Sequence, residues 1–211
     1  MHYHAFIEKL RQRLQQPLPG EAAQFKMAPE RRITMKEFYA AKHPDPRLSA
    51  VLICFFPDRE NICTWLMLRP EEQGAHSGQV SFPGGRFEDG DIDLQNTALR
   101  EANEEIGIDR NKIEVIGALT SLYIPVSNNL VKPFVGFVQE KQPVQKNEVE
   151  VKAIIETDIR LIMNPSIKSN ATFNGQHNAK INAPYYNING HKVWGATAMI
   201  LSELESIIGD V

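Results

Sequence analysis

The sequence has little cysteine and no long hydrophobic run, and each absence excludes a class of protein. Its 211 residues include only Cys54 and Cys63, too few for the disulfide framework of a small secreted domain. Both lie in apolar, strand-like runs, so we expect core thiols in a reducing compartment. No stretch approaches the roughly 20 apolar residues of a membrane span, and the N-terminus lacks the apolar core of a signal peptide. We therefore expect a cytoplasmic protein that has no membrane partner.

An excess of basic residues is also missing. The formal net charge is −3 and 42% of the residues are hydrophobic, as in an ordinary soluble globular protein. This balance argues against non-specific binding to nucleic acid, so no nucleic-acid partner is predicted. The charge is uneven, however, because residues 86–105 contain seven acids and only two arginines. Composition leaves open whether the protein is a monomer or a homodimer.

Several enzyme motifs are absent as well. The sequence lacks the Walker A motif, G-x-G-x-x-G, H-E-x-x-H, G-x-S-x-G and paired C-x-x-C. A serine hydrolase, a zinc protease and a nicotinamide-dependent enzyme are therefore disfavoured. The segment that remains is residues 82–108, where the Gly84-Gly85 pair is followed by an acidic loop and a helical pattern.

Hydrophobic periodicity predicts a single domain of class α/β (or α+β), in which helices flank a mixed sheet. We expect residues 1–48 to form an N-terminal helix and a lead-in packed on the core, and residues 49–211 to form the main domain. Residues 165–184 are predicted to be turn-rich and the most mobile part of the chain. The predicted helices lie at 2–16, 35–41, 95–106, 158–163 and 195–208, and the predicted strands at 49–57, 63–69, 113–122, 131–138, 148–156, 185–188 and 191–194.

The helix at 95–106 has an unusual acidic face. Glu101, Glu104 and Glu105 are spaced i, i+3 and i+4, so they fall within about 100° of arc. Like charges at this spacing cost a helix about 0.2–0.5 kcal/mol, and Arg100 is the only basic residue nearby. A divalent cation held by carboxylates would supply the missing charge. The alternative is a solvated acidic face, which is common for three acids on one helix.

The segment from Arg100 to Ile108 resembles the second half of the signature of Nudix hydrolases, Gly-x5-Glu-x7-Arg-Glu-U-x-Glu-Glu-x-Gly-U, in which U is aliphatic. The first half differs. Asp91 replaces its glutamate, and the spacing from Asp91 to Arg100 is one residue longer, so Asp91 receives no role. The resemblance implies an α/β/α sandwich and a diphosphatase that uses Mg²⁺ or Mn²⁺. It also implies roles for Glu101, Glu104, Glu105 and the Gly84 carbonyl as metal ligands, and for Arg100 in orienting these acids.

The longer loop and the run from Leu68 to Gly85 resemble the coenzyme A pyrophosphatase branch of that family. The implied substrate is coenzyme A or a derivative, cleaved to 3′,5′-ADP and 4′-phosphopantetheine. That branch usually has an arginine at the position of Gly74, which favours the alternative of another nucleoside diphosphate derivative such as NADH or ADP-ribose. A Nudix-fold module that binds a ligand without catalysis is a third possibility.

The resemblance also indicates residues outside the helix. Many Nudix proteins take a further acid, often the general base, from another segment, and here the candidates are Glu148, which we prefer, and Glu150. Surface acids at the start of a strand are the alternative for both. The candidate substrate-binding residues are Arg69, His76, Gly84, Gly85 and Tyr123.

Overall fold

The computed structural model describes residues 2–30, 34, 37, 45–71, 78–174 and 179–211. Across these residues it contains no helix with the length and apolarity needed to cross a bilayer. The elements, in chain order, are α1 (Tyr3–Leu14), α2 (Glu21–Gln24), β1 (Arg47–Asp58), β2 (Asn61–Leu68), β3 (Val80–Ser81), β4 (Gly84–Arg86), α3 (Leu94–Ile106), β5 (Glu114–Ala118), β6 (Leu122–Ile124), β7 (Asn129–Phe137), β8 (Ala153–Asp158), α4 (Ile159–Ile162), β9 (Lys168–Asn174), β10 (Lys180–Ile188), β11 (His191–Trp194) and α5 (Ala196–Ile208), with four short 3₁₀ turns among the described residues, at Phe25–Met27, Arg110–Lys112, Pro125–Ser127 and Pro165–Ile167.

Within the described ranges, the main sheet has eight strands, and β1 lies at its centre. β1 and β2 form the predicted hairpin, with Asp58 opposite Asn61 at the turn. On its other side β1 pairs in parallel with β7. The first half of β1 pairs with β4, while β3 pairs with the end of β2. β1 and β2 therefore diverge, and the short strands β3 and β4 lie between them, with the glycine pair in β4.

The residues of β1 alternate between two hydrophobic clusters, as expected for a strand covered on both faces. Ala50, Leu52 and Cys54 pack in the cluster that includes the apolar side of α3. Ile53 and Phe55 pack in the opposite cluster, which includes residues of α1 and α5. Helices thus cover both faces of a mixed sheet, and the predicted α/β/α sandwich is confirmed.

Helix α3 has defined caps at both ends. The Asp93 carboxylate accepts a hydrogen bond from the Asn96 N–H at 2.8 Å, which satisfies a free donor of the first turn. At the other end Gly107 has φ 73° and its N–H donates to the Asn103 carbonyl at 2.9 Å. This left-handed terminus favours glycine because it needs no Cβ. The predicted helix at 95–106, ended by Gly107, is confirmed.

The prediction that residues 165–184 are turn-rich is wrong for the described residues, because they contain β9 and the first half of β10. Their predicted mobility stays a prediction. With β11 these strands form a second, three-stranded antiparallel sheet in the part of the chain that the structure describes. The error arose because β9 is an edge strand, and its exposed positions carry short polar side chains that read as turn residues. The predicted Asn189-Gly190 hairpin between β10 and β11 is confirmed.

Two further strand predictions differ from the structure. The strand predicted at 113–122 is divided into β5 and β6, because Thr120 between them donates both its N–H and its hydroxyl to the buried Glu203 carboxylate. The strand predicted at 148–156 begins only at Ala153, after a turn. The helix predicted at 35–41 lies outside the described residues except for Glu37. The domain boundary at residue 48 stays a prediction.

The end of α3 gives a test of this architecture. In Gly107→Ala the new Cβ would lie 3.0 Å from the Gln145 carbonyl oxygen and would hold a left-handed conformation. We expect the free energy of unfolding to fall by about 1–2 kcal/mol, measured by urea denaturation. The matched control is Gly209→Ala, after α5, where φ is −62° and the nearest atom lies 3.4 Å from the new Cβ. That change should be below about 1 kcal/mol. Equal losses in the two variants would contradict the assigned conformation.

Candidate metal and diphosphate site

The glycine pair allows helix α3 to lie close to strand β4. A Cβ on Gly84 would lie 2.3 Å from the Ala50 carbonyl oxygen on the neighbouring strand. A Cβ on Gly85 would lie 2.3 Å from Oε1 of Glu101. No side chain fits at either position without displacing strand β1 or the glutamate. The pair therefore keeps the Glu101 carboxylate directly against the backbone of β4.

Glu105 is the most enclosed acid of the site, with 3% of its surface exposed. Its Oε2 accepts a hydrogen bond from the Gly84 N–H at 2.8 Å, and its Oε1 lies 3.7 Å from Nη1 of Arg69. Burial raises the pKa of Glu105 to about 8, although the Gly84 N–H and Arg69 oppose the shift. Burial also raises the pKa of Glu101, against the opposing charge of Arg100. The positive charges of Arg69 and Arg100 therefore do not offset the effect of burial on the pKa of these two carboxyls.

Arg100 contacts the outer side of the acidic face. Its Nη1 donates to Glu101 at 3.1 Å and to Glu104 at 2.9 Å. Its Nε and Nη2 donate to the two oxygens of Asp91 at 2.8 and 3.0 Å, a paired geometry suited to a guanidinium. Arg100 holds the pKa of Asp91 well below its usual range, mainly through these hydrogen bonds. A hydrogen bond from the Arg100 Nη2 to the Arg86 carbonyl ties the group to β4.

Asp91 lies in the same cluster, although the sequence analysis gave it no role. The longer spacing to Arg100 removed it from the family pattern, yet the loop still brings its carboxylate to the guanidinium. The Thr97 hydroxyl also donates to Asp91 at 2.8 Å. The available signal was the preserved Gly-x5-acid spacing from Gly85. Asp91 orients Arg100, which in turn orients the glutamates.

The carboxylates fit a divalent cation. In the described part of the chain no three His, Cys, Asp or Glu side chains form a ready-made metal cage. Mg²⁺ does not need one, because it usually binds one or two carboxylates together with waters and substrate phosphates. Glu101 and Glu105 provide two hard oxygen donors in a site that is short of positive charge. Glu104, whose side chain is half exposed, lies at the rim on Arg100.

Glu148 and Glu150 have different neighbours in the structure, and the choice between them as the further acid stays a prediction. The Glu148 side chain is 78% exposed and pairs with Lys146 at 2.7 Å. Burial is the main cause of the raised pKa of Glu101 and Glu105, and the charge of Glu150 is a minor cause for both. The strand predicted for this segment is a turn at residues 148–150, and both acids are exposed.

That turn is anchored directly to α3. The Asn147 N–H donates to the Glu105 carbonyl at 2.8 Å, and the Val149 N–H donates to the Asn147 side chain at 3.0 Å. The side chain of Asn147 also donates to Glu150 at 3.4 Å. An asparagine at the start of a turn is a sequence signal for that turn, and this turn contains Glu150.

The remaining predicted residues are Arg69, Tyr123 and His76, and only Arg69 is seen to contact a carboxylate of the site among the described residues. Arg69 follows β2 and reaches Glu105, as described above. Tyr123 is buried on β6, which pairs with β7, and its hydroxyl donates to Asn128 at 3.0 Å. The structure therefore brings Arg69 to the carboxylates but holds Tyr123 against Asn128. His76 lies outside the described residues.

Helix α3 ends at Gly107, carries the buried Glu105 beside Glu101, and packs on a mixed sheet in an α/β/α sandwich. The sequence model of the NUDIX domain matches residues 45–158. The chain belongs to the Nudix family.

Its relatives agree with this assignment. The chain is 36% identical over 131 residues to Nudix hydrolase 15 of Arabidopsis thaliana, a mitochondrial protein, covering 58% of this chain and 45% of the relative. It is 29% identical over 177 residues to the Nudix hydrolase NudL of Yersinia pestis, covering 83% of this chain and 85% of the relative. The chain spans about half the length of the plant relatives it matches.

A solved structure supports the fold. The Nudix hydrolase RenU of Mycobacterium smegmatis superimposes with a TM-score of 0.54 and 11% identity, over 88% of this chain and 94% of that protein. The predicted family is thus confirmed, whereas the coenzyme A branch and the cytoplasmic location stay predictions.

The raised pKa of Glu105 predicts a pH-dependent stability of the metal-free protein. A carboxyl whose folded-state pKa is raised stabilises the fold at low pH and loses this contribution as the pH rises toward about 8. Glu105→Gln keeps an acceptor for the Gly84 N–H but removes the buried charge. We expect this variant to exceed wild type in free energy of unfolding by about 2–4 kcal/mol at pH 8 and by much less at pH 5, measured by urea denaturation in EDTA.

The control is Glu148→Gln, which removes one exposed acid and should change the free energy of unfolding by less than about 0.5 kcal/mol at either pH. If the difference between Glu105→Gln and wild type is the same at pH 5 and pH 8, the raised pKa is refuted.

Proposed function

We propose that the protein hydrolyses a diphosphate linkage with the help of a divalent cation. The observation that carries this proposal is the pair of carboxylates of Glu101, which is partly buried, and Glu105, which is buried, held against the Gly84-Gly85 pair. Membership of the Nudix family supports it, since its named relatives are Nudix hydrolases. We also propose that residues 49–211 form the hydrolase unit, with residues 1–48 packed on it.

The proposed cation is Mg²⁺ or Mn²⁺, and its ligands are Glu101, Glu105, Glu104 and the carbonyl of Gly84. When bound, such a cation offsets charge on the phosphoryl oxygens and acidifies the attacking water. Arg100 keeps Glu101 and Glu104 in place, and Asp91 fixes Arg100 through two hydrogen bonds. In this arrangement Arg100 orients the two glutamates and takes no direct part in bond cleavage.

Arg69 has the position and chemistry of a phosphate ligand. Its guanidinium is 3.7 Å from Glu105 and 38% of its side chain is exposed, so it can pair with an incoming anion. His76, Gly85 and Tyr123 stay proposed substrate contacts. Gly85 qualifies because its backbone faces the carboxylate of Glu101.

Glu150 is the proposed general base. A general base that removes a proton from the attacking water must be an ionised carboxylate near the metal ligands. The charge of Glu150 contributes to the raised pKa of Glu101 and Glu105. The turn that carries Glu150 is fixed to the end of α3 through Asn147. Glu148 points instead to Lys146 and solvent.

The proposed substrate is coenzyme A or one of its derivatives, because the sequence from Leu68 to Gly85 and the lengthened loop resemble the coenzyme A pyrophosphatase branch. The second candidate is another nucleoside diphosphate derivative, NADH or ADP-ribose, and Gly74 in place of the usual arginine favours it. A non-catalytic binding module is disfavoured because all three glutamates of the helix are present.

The substrate proposal is tested by incubating the purified protein with coenzyme A, NADH or ADP-ribose in Mg²⁺ or Mn²⁺ and separating the products. We expect 3′,5′-ADP and 4′-phosphopantetheine from coenzyme A, and no turnover in EDTA. Faster turnover of NADH or ADP-ribose without any 3′,5′-ADP would overturn the coenzyme A assignment. Binding of each ligand without turnover would identify the protein as a non-catalytic module.

The general base is tested by the matched variants Glu150→Gln and Glu148→Gln. Each removes one negative charge from the same turn, but only Glu150 is assigned to proton transfer. We expect kcat to fall by about 10²–10⁴-fold in Glu150→Gln and to stay within about twofold of wild type in Glu148→Gln. Equal effects of the two substitutions would show that neither residue is the base.

A further inference from the structure

The second sheet has an aromatic outer face that the proposed reaction does not use. Val193 on β11 is buried in the core, so its neighbours Lys192 and Trp194 lie on the opposite face of the sheet. There the rings of Trp194 and Phe173 stack at 4.3 Å with an interplanar angle of 9°. Tyr185 meets Phe173 edge-on, with centroids 6.0 Å apart. We call Phe173, Tyr185, Lys192 and Trp194 the outer face.

The outer face lies in a segment without acidic residues. Residues 159–202 contain four Lys or Arg and no Asp or Glu, although the chain as a whole has a net charge of −3. Lys168 is neutralised by Glu205 from α5, at 2.6 Å, and Lys180 donates to the Asn174 side chain at 2.6 Å. Lys192 is exposed, and its Nζ lies 5.4 Å from the centre of the Tyr185 ring. The outer face thus joins aromatic surface to a positive charge.

The outer face is also connected to the candidate site. β11 contacts β3, and the Thr197 hydroxyl just after β11 donates to the Val80 carbonyl at 2.9 Å. The residue before Val80, Gln79, accepts a hydrogen bond from the Arg69 N–H at 3.0 Å. Arg69 in turn lies beside Glu105. β11, β3 and the segment that ends in Arg69 are therefore neighbours in the fold.

We propose that the outer face binds the nucleotide end of the substrate: the base packs on the rings of Phe173 and Trp194, and Lys192 pairs with a phosphate other than the diphosphate that is cleaved. Aromatic rings bind any base through its π-face, and an adjacent cation selects a phosphorylated ribose. The assignment rests on the proposed function, since it gives a place to the part of the substrate that does not react. A surface of four side chains suits a single nucleotide.

Binding of 3′,5′-ADP in EDTA tests this inference without catalysis. The chain has two tryptophans, and Trp65 is buried, so a fluorescence change reports Trp194. We expect 3′,5′-ADP to quench the fluorescence and the Trp194→Leu variant to lose the response. Phe173→Leu should raise the Kd roughly five- to one-hundred-fold. Lys192→Gln should raise it roughly three- to fivefold for 3′,5′-ADP and leave the Kd of AMP unchanged.

The matched control is Lys180→Gln, which removes the same charge from the same sheet at a position bonded to Asn174. It should bind as wild type does. In turnover of coenzyme A, Lys192→Gln and Phe173→Leu should raise KM while kcat stays constant. Circular dichroism of each variant shows whether the sheet is intact. The conservative variant Phe173→Tyr keeps an aromatic ring and should bind 3′,5′-ADP as wild type does.

The possible results separate the two proposals. If coenzyme A is cleaved but Phe173→Leu and Lys192→Gln bind 3′,5′-ADP as wild type does, only this inference is overturned. If coenzyme A is not cleaved but 3′,5′-ADP binding still depends on both residues, the proposed function fails and the nucleotide site stands. Tighter binding of a single-stranded oligonucleotide than of 3′,5′-ADP would overturn the assignment to one nucleotide.

Discussion

The close contact between Glu101 and the backbone of Gly85 is the constraint on which the rest of the site depends. A carboxylate can lie against β4 only because no Cβ stands between them. The same strand presents the Gly84 N–H to Glu105, which is buried and lies 3.7 Å from Arg69, while Glu101 is partly buried and pairs with Arg100. Burial still raises the pKa of both carboxyls against these arginines. Two such carboxylates side by side fit a divalent cation.

The fold provides this constraint through the divergence of β1 and β2. β4 replaces β2 as the partner of the first half of β1, which places the glycine pair under α3. Alanines on the inner side of the helix, Ala98 and Ala102, pack in the cluster beneath it and allow the helix to lie close to the sheet. The turn before β8 is hydrogen-bonded to the end of the same helix and adds Glu150. The site is thus assembled from a helix, a strand and a turn that are fixed to one another.

The helix and its acids were predictable from the sequence because they depend on local rules. The spacing of Glu101, Glu104 and Glu105 follows from helical geometry, and Gly107 is a typical helix terminus. The sandwich was predictable because strands and helices alternate with clear periodicity. The hairpins at Asp58 and at Asn189 followed from their turn residues.

What the sequence did not reveal depends on tertiary contacts. Glu148 and Glu150 are alike in sequence, and only the turn anchored by Asn147 decides which acid approaches the site. Asp91 is assigned by its geometry with Arg100 rather than by spacing along the chain. The edge strand β9 was mistaken for turns because polar side chains on a solvent-facing strand have the composition of a loop. In each case the missing information was the identity of a distant partner.

The central claim, that Glu101 and Glu105 bind a divalent cation, is tested most directly by titrating the protein with Mn²⁺ and following the free ion by electron paramagnetic resonance. We expect saturable binding in wild type and in Glu148→Gln, and a loss of affinity of at least about tenfold in Glu101→Gln and Glu105→Gln. Binding that is unchanged in both of these variants, or no saturable binding in wild type, would contradict the account.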